Sequence, residues 1–376
     1  MLFKDIVGQH AIKERLIQSV KEERISHAQL FHGNEGTGKL ALAIAYAQYL
    51  CCLDRAGNDS CGTCASCNKY NKLIHPDLHF VYPVVKASSG KSISDNHVKE
   101  WREMLMRSPY FSEQQWYRKI SAENKQGSIF TDEAEEIIRK LNLKSFEADY
   151  KVMIIWLPEK MNLSSANKLL KVIEEPPPLT LIILISENAS QILPTIYSRS
   201  QPIRVPAIQA DEIKKYLQQL ETVSPAKIEG IAKLCKGNLV TALELIEADE
   251  QNKHNFNYFS NWMRFCYQSK IIELVELTEE IAKWGRERIK NFLGYSLRMM
   301  RENFVLNFQQ QDLVYLEETE TNFSLKFSPF INEGNIAGIA RELNRAMYHI
   351  EANGNEKIVL LDLSIQLIRL IKPVNK

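Results

Sequence analysis

Ala28-Gln29-Leu30-Phe31-His32, Gly33-Asn34-Glu35-Gly36-Thr37-Gly38-Lys39 and Leu40-Ala41-Leu42-Ala43-Ile44-Ala45-Tyr46-Ala47-Gln48-Tyr49-Leu50 follow one another without a break. The first stretch is short and mostly apolar, as a buried strand is. The last is rich in Ala and Leu, the residues that lose least on entering a helix. The middle stretch matches the first seven positions of a phosphate-binding P-loop, in the strand-to-helix setting that the motif requires. Gly33, Gly36 and Gly38 let backbone N–H groups curl round phosphate oxygens. Thr37 and Lys39 complete the loop, with Lys39 placed to reach the outer phosphates at a helix N-terminus. Further apolar runs lie at Leu78–Tyr82, Val152–Trp156, Leu181–Ile185 and Ile203–Val205, with helical periodicity between them. Fully apolar strands alternating with helices predict an α/β fold whose parallel sheet is covered on both faces.

The loop departs from its pattern where metal chemistry is concerned. The eighth position should carry a hydroxyl for Mg²⁺, and Leu40 stands there. The acidic pair expected after the strand Val152–Ile155 is Trp156-Leu157. A hard cation wants oxygen, so neither position can hold it. Glu159, three positions late, is the one candidate for a displaced acid. ATP binding is therefore open between residual binding and an inherited turn that binds nothing, and hydrolysis by this chain is predicted to be poor.

Of seven cysteines, five lie between Cys51 and Cys67. Cys52, Cys61, Cys64 and Cys67 have the spacing C-x8-C-x2-C-x2-C, which suits a closed tetrahedral site for structural Zn²⁺. An iron–sulfur cluster is the competing metal, and His75 an alternative fourth ligand. Cys51 points elsewhere on a helix. Cys235 and Cys266 read as buried small hydrophobes.

The remaining sequence is ordinary for a globular protein, with 45% apolar and 25% charged residues and a net charge of +1. Whole-molecule electrostatics thus give no argument for direct nucleic-acid binding. No apolar run is long enough to span a bilayer, and the start of the chain lacks a signal-peptide pattern, so no membrane and a cytoplasmic location are expected. After Pro206 only helical patterns remain. Thr131 and Ser164 read as helix N-caps, Ile192–Ile196 as a helix, Glu247–Asn255 as a linker, and Pro373 as the end of the last helix. The segment Lys86–Gln126 is polar yet carries Trp101, Tyr110, Phe111, Trp116 and Tyr117, so it reads as an insertion packed on the α/β domain, with a helix at Val98–Met106.

Several segments together resemble the bacterial clamp-loader AAA+ subunits. They are Phe3–Gln9, Ser26-His27-Ala28, the four-cysteine module after the P-loop helix, Lys160-Met161-Asn162, Ala166–Lys171, Glu174-Glu175-Pro176-Pro177 and Leu193–Ser200. In the last of these Ser198-Arg199-Ser200 stands where that family has Ser-Arg-Cys. The resemblance is strong to about residue 245 and afterwards holds in type and length only. It implies an AAA+ core over 1–206, with a zinc module at 52–67 and an insertion at about 86–126. A helical lid follows over 207–250, then an all-helical collar over 255–376. Motor members of the family keep the Mg²⁺ residues and a lid arginine three residues after a glycine. Here Gly237 is followed by Asn238-Leu239-Val240, while Arg199 is kept. Loss of a chain's own catalytic groups beside a retained arginine finger fits the non-motor, delta-prime class; the alternative is an active gamma/tau-like ATPase that takes Mg²⁺ from an unusual ligand such as Glu159. The resemblance then implies gamma/tau ATPase subunits, a delta subunit and, through them, the sliding clamp and primed DNA as partners. Arg199 would complete a neighbour's ATP site.

Overall fold

The computed structural model describes all residues except 56, 88, 123–124, 221–222, 308–315, 317 and 373–376, with residue 226 by its backbone only. The expectation about Pro373 lies outside the described residues. Two compact units are present, Met1–Leu245 and Ile246–Lys376.

The first unit is built on a parallel sheet of β1 (Ala28–His32), β2 (Leu78–Val81), β3 (Lys151–Trp156), β4 (Thr180–Ser186) and β5 (Gln201–Arg204), in the order β2-β3-β4-β1-β5. Every residue of β3 and β4 is buried, which is why these strands read as continuous apolar runs. β1 lies between β4 and β5, pairing Leu30 with Leu184 on one side and with Pro202 on the other. Strand order thus reverses at β1, and the crevice at its carboxyl end is where a ligand would enter such a sheet. β5 begins two residues earlier than Ile203. Pro202, which has no N–H to donate, is tolerated there because β5 is an edge strand.

The helices of this unit are α1 (His10–Lys21), α2 (Lys39–Leu50), α3 (Ala65–Asn71), α4 (Val98–Arg107), α5 (Glu113–Lys119), α6 (Thr131–Asn142), α7 (Leu163–Glu174), α8 (Pro194–Tyr197), α9 (Ala210–Gln218) and α10 (Pro225–Leu234). α2 is buried on all sides, and its evenly apolar sequence follows from that. Two caps differ from the expectation. Asn162, not Ser164, caps α7, its Oδ1 accepting the N–H of Ser165 at 2.7 Å. Thr131 is the first helical residue of α6, and its neighbour Phe130 flanks the helix with no side-chain cap. α8 starts at Pro194, whose fixed φ suits the first helical position.

α11 runs from Leu239 to Gln268, and the division between the units falls within it. The polar run Glu247–Asn255 is helical, not a linker. It contains no Gly or Pro, and Lys253 pairs with Asp249 one turn away at 3.0 Å. α12 (Ile271–Ala282), α13 (Arg286–Leu306), α14 (Glu318–Phe327), α15 (Ile336–Glu351) and α16 (Glu356–Ile371) complete the second unit. Its core gathers Trp262, Phe292, Met299, Leu343 and Leu367, all fully buried. Inside it the indole N–H of Trp262 donates to Ser364 Oγ at 2.8 Å, so the one polar edge of the ring is satisfied.

Candidate functional site

The P-loop leaves β1 at the sheet's switch point and turns into α2. Gly36 and Gly38 have φ of +70° and +86°, which side chains rarely adopt. A Cβ on Gly36 would also collide with the side-chain oxygen of Asn238, and one on Gly33 with the carbonyl of Val205. The loop is thus packed from two sides by its own chain.

Lys39 points into the loop. Its Nζ donates to the carbonyls of Gly33 at 2.8 Å and Asn34 at 2.5 Å. Burial pulls its pKa down to about 8, against the opposing pull of Glu187, Glu159 and Glu35. Glu187 answers in kind, burial pushing its carboxyl up to about 7. Thr37 Oγ1 donates to the carbonyl of Asn34 at 3.0 Å.

The two positions where the P-loop pattern expects Mg²⁺ ligands are apolar and line one cavity. Leu40 is the second residue of α2 and Trp156 ends β3, and both line the small cavity beside Gly38 and Lys39. Leu157 is buried with φ of +56°. Glu159 commits one oxygen to the backbone: its Oε1 accepts the N–H groups of Glu187 at 2.9 Å and Asn188 at 3.2 Å, while the carboxylate also acts on Lys39. It tethers the end of β4.

Asn238 was not legible as a site residue. Its Oδ1 accepts the N–H of Thr241 at 3.1 Å, capping the start of α11, while its Nδ2 reaches Glu35 at 3.3 Å. The N–H of Leu239 donates to the carbonyl of Gly36 at 3.0 Å. Gln9, in the N-terminal segment, donates to the carbonyls of Thr37 at 3.0 Å and Pro206 at 2.7 Å. The Asn-x-x-Thr spacing after Gly237 was the available signal for the cap; nothing in the sequence marked its contact with the loop.

Cys52, Cys61, Cys64 and Cys67 converge, their sulfurs all within 4.8 Å of one another. Cys52 and Cys61 are 3.6 Å apart, and Cys61 and Cys67 3.9 Å. Four sulfurs set tetrahedrally about 2.3 Å from a metal would be about 3.8 Å apart, so this set fits one ion. The N–H groups of Cys61, Cys64 and Cys67 point at the sulfurs of Cys52, Cys61 and Cys64 at 3.3 to 3.4 Å, so the loop between them folds its backbone donors around the sulfur group. Cys51 faces away toward the carbonyl of Tyr150, and burial pushes its thiol up to about 12. His75 is buried with its Nε2 3.3 Å from Glu147, outside the sulfur group. Cys235 and Cys266 are buried as expected.

Arg199 sits in the turn between α8 and β5. Its Nε donates to Glu174 at 2.8 Å and its NH1 to the carbonyl of Thr195 at 3.1 Å. The side chain is 34% exposed, so the guanidinium is presented at the surface and steadied from behind. Among the described residues no helix is long and apolar enough to cross a membrane.

The family described as "DNA polymerase III, delta subunit" matches residues 8–123 and 117–209. DNA polymerase III subunit delta' of Bacillus subtilis (strain 168) is 29% identical over 242 residues, 64% of this chain and 60% of that protein. The corresponding delta' subunit of Haemophilus influenzae is 25% identical over 271 residues, covering 72% of this chain and 69% of that protein. DNA polymerase III subunit tau of Bacillus subtilis is 28% identical over 251 residues, 65% of this chain but 37% of its own length.

Proposed function

The chain belongs to the DNA polymerase III, delta subunit family, and on that premise we propose that it is a delta-prime-like, non-motor subunit of the clamp loader. It would help place the sliding clamp on primed DNA during replication, in the cytoplasm, with gamma/tau and delta subunits as partners. Residues 1–206 would form the AAA+ core, 207–250 its lid and 255–376 the collar that holds the ring together.

One observation supports this reading: Leu40 and Trp156, at the positions where the P-loop pattern expects oxygen ligands for Mg²⁺, are apolar and line the cavity beside the loop. Phosphoryl transfer is mainly positioning and charge neutralisation around the metal, so a pocket without those ligands is unsuited to hydrolysis. The matches to delta' subunits support the same assignment.

The chemistry left to the chain is then electrostatic. Arg199, presented at the surface with Glu174 behind it, would lie against the ATP of a neighbouring motor subunit and stabilise charge that develops on the transferred phosphoryl group. The exposed ion pair with Glu174 is worth at most about 1 kcal/mol and does not prevent the arginine from turning to a phosphate. The four cysteines would hold a structural Zn²⁺. With four thiolates it has no open position, so the ion stabilises the fold and takes no part in catalysis.

The test is reconstitution with the host's gamma/tau and delta subunits. Arg199→Ala should lower DNA-stimulated ATP turnover by about 10³-fold at the site it serves and leave assembly intact. Unchanged turnover in a fully assembled complex removes Arg199 from the mechanism.

A further inference from the structure

The insertion Lys86–Gln126 ends up at the phosphate loop. α4 and α5 are joined by Ser108–Ser112, and the middle of that connection, Pro109-Tyr110-Phe111, lies in the crevice against Gly38, Lys39, Leu40 and Trp156. The space left there is about 20 Å³. One water needs about 10–15 Å³ by the same kind of measure, whereas small-molecule sites run to about 300–1,000 Å³. A triphosphate does not fit beside this segment.

The segment is held by named contacts. Tyr110 OH accepts the backbone N–H of Val7 at 3.1 Å, in the N-terminal segment that borders the P-loop. Its ring lies 3.3 Å from where a Cβ on Gly38 would stand. Phe111 packs on Trp156 with ring centroids 5.3 Å apart, and Trp101 packs on the other two rings at 5.3 and 5.5 Å. Trp116, donating its N–H to the carbonyl of Pro83 at 2.8 Å, closes the cluster against Trp101 at 5.2 Å. Trp101 and Trp116 are fully buried, and Tyr110 and Phe111 nearly so.

The electrostatics of the pocket match an occupant without charge. Lys39 is already engaged with two loop carbonyls, and three carboxylates, Glu35, Glu159 and Glu187, act on it. A triphosphate would add negative charge to this set. An aromatic segment adds none.

We propose that Pro109-Tyr110-Phe111 is a built-in occupant of the nucleotide pocket, seated on Trp156 and Leu40, which keeps the P-loop closed and free of nucleotide. The two residues that remove the Mg²⁺ ligands are thereby given a positive role, as the floor of a socket for the insertion. This goes beyond the loss of hydrolysis, since it concerns binding, and it holds for the chain with or without its ring partners.

Calorimetric titration of the full chain with ATP in EDTA tests it, because nucleotide binding is read without any demand for metal. No saturable binding is expected up to about 1 mM, and binding tighter than that overturns the proposal. Hydrogen exchange supplies the second arm. In the wild type, peptides covering 107–113 and 33–40 should both be protected well beyond the level of an open loop; fast exchange of 107–113 overturns the proposal even if no variant folds. In Tyr110→Ala/Phe111→Ala, exchange of 33–40 should rise about tenfold or more as the loop loses its cover. A folded variant whose P-loop remains as protected as the wild type also overturns it.

Discussion

Trp156→Ala should destabilise the first unit far more than a substitution at the edge of a nucleotide pocket ordinarily would. Trp156 ends a fully buried strand and is 3% exposed. Truncating a buried Trp to Ala costs about 3–5 kcal/mol. The ring contacts with Trp101 and Phe111, each worth about 0.5–1.5 kcal/mol beyond burial, place this site at the upper end, about 5 kcal/mol. With a urea dependence of about 3 kcal/mol per molar for a unit of this size, the midpoint should fall by about 1.7 M. Hydrogen exchange read on β3 and β4 peptides at increasing urea reports this unit by itself. The insertion should become more susceptible to protease in the same variant under native conditions, because the ring on which Phe111 and Trp101 pack is gone. A midpoint shift below about 0.5 M, with the insertion still resistant, would refute the packing argument.

Four other outcomes follow from the same structure. Purified chain should carry one zinc, and Cys64→Ser should lose it and unfold the first unit at lower temperature; metal analysis that finds none, or finds iron, refutes the zinc assignment. Glu174→Gln should leave assembly and most ATP turnover of the reconstituted complex in place, since the exposed pair with Arg199 contributes about 1 kcal/mol or less. Glu133, buried and accepting from the N–H and hydroxyl of Ser94, has its carboxyl pushed up to about 7 by burial, from an ordinary 4.5. The folded chain therefore binds this proton more tightly than the unfolded one, and the associated stability is present below pH 4.5 and lost as pH rises through about 7, by about 3 kcal/mol in all. Glu133→Gln should flatten that decline in urea titrations across the range, and an unchanged slope counts against the burial of a charged carboxylate there.

What was readable in the sequence was whatever has a short period or a fixed spacing. β1, β3 and β4 were plain because strands covered on both faces read as near-continuous apolar runs, with polar residues such as Lys151, Thr180 and Ser186 at their ends. The convergence of the four cysteines was plain because two-residue steps between Cys61, Cys64 and Cys67 keep their sulfurs within reach of one another. That Leu40 and Trp156 have no side-chain oxygen to offer a cation was plain from their identity alone. The seat of the insertion was hidden. Its aromatics follow no period, and they pack on Tyr82 of the loop after β2 and on Trp156 of β3, the latter distant in the chain and itself read only as a missing acid. The role of Asn238 was hidden for a related reason: its partners, Gly36 and Glu35, lie some two hundred residues earlier, and only the fold brings them together. The helicity of Glu247–Asn255 was misjudged because polarity was weighed above the absence of any helix-breaking residue.

Steady-state ATP turnover of the isolated full-length chain, with Mg²⁺, clamp and primed DNA present, bears most directly on the idea that this subunit serves another's chemistry. Turnover indistinguishable from buffer is the predicted result, while the wild-type chain restores activity to a ring lacking it. Sustained turnover at about 1 per second by the chain alone, abolished by Lys39→Ala, would contradict the account at its root.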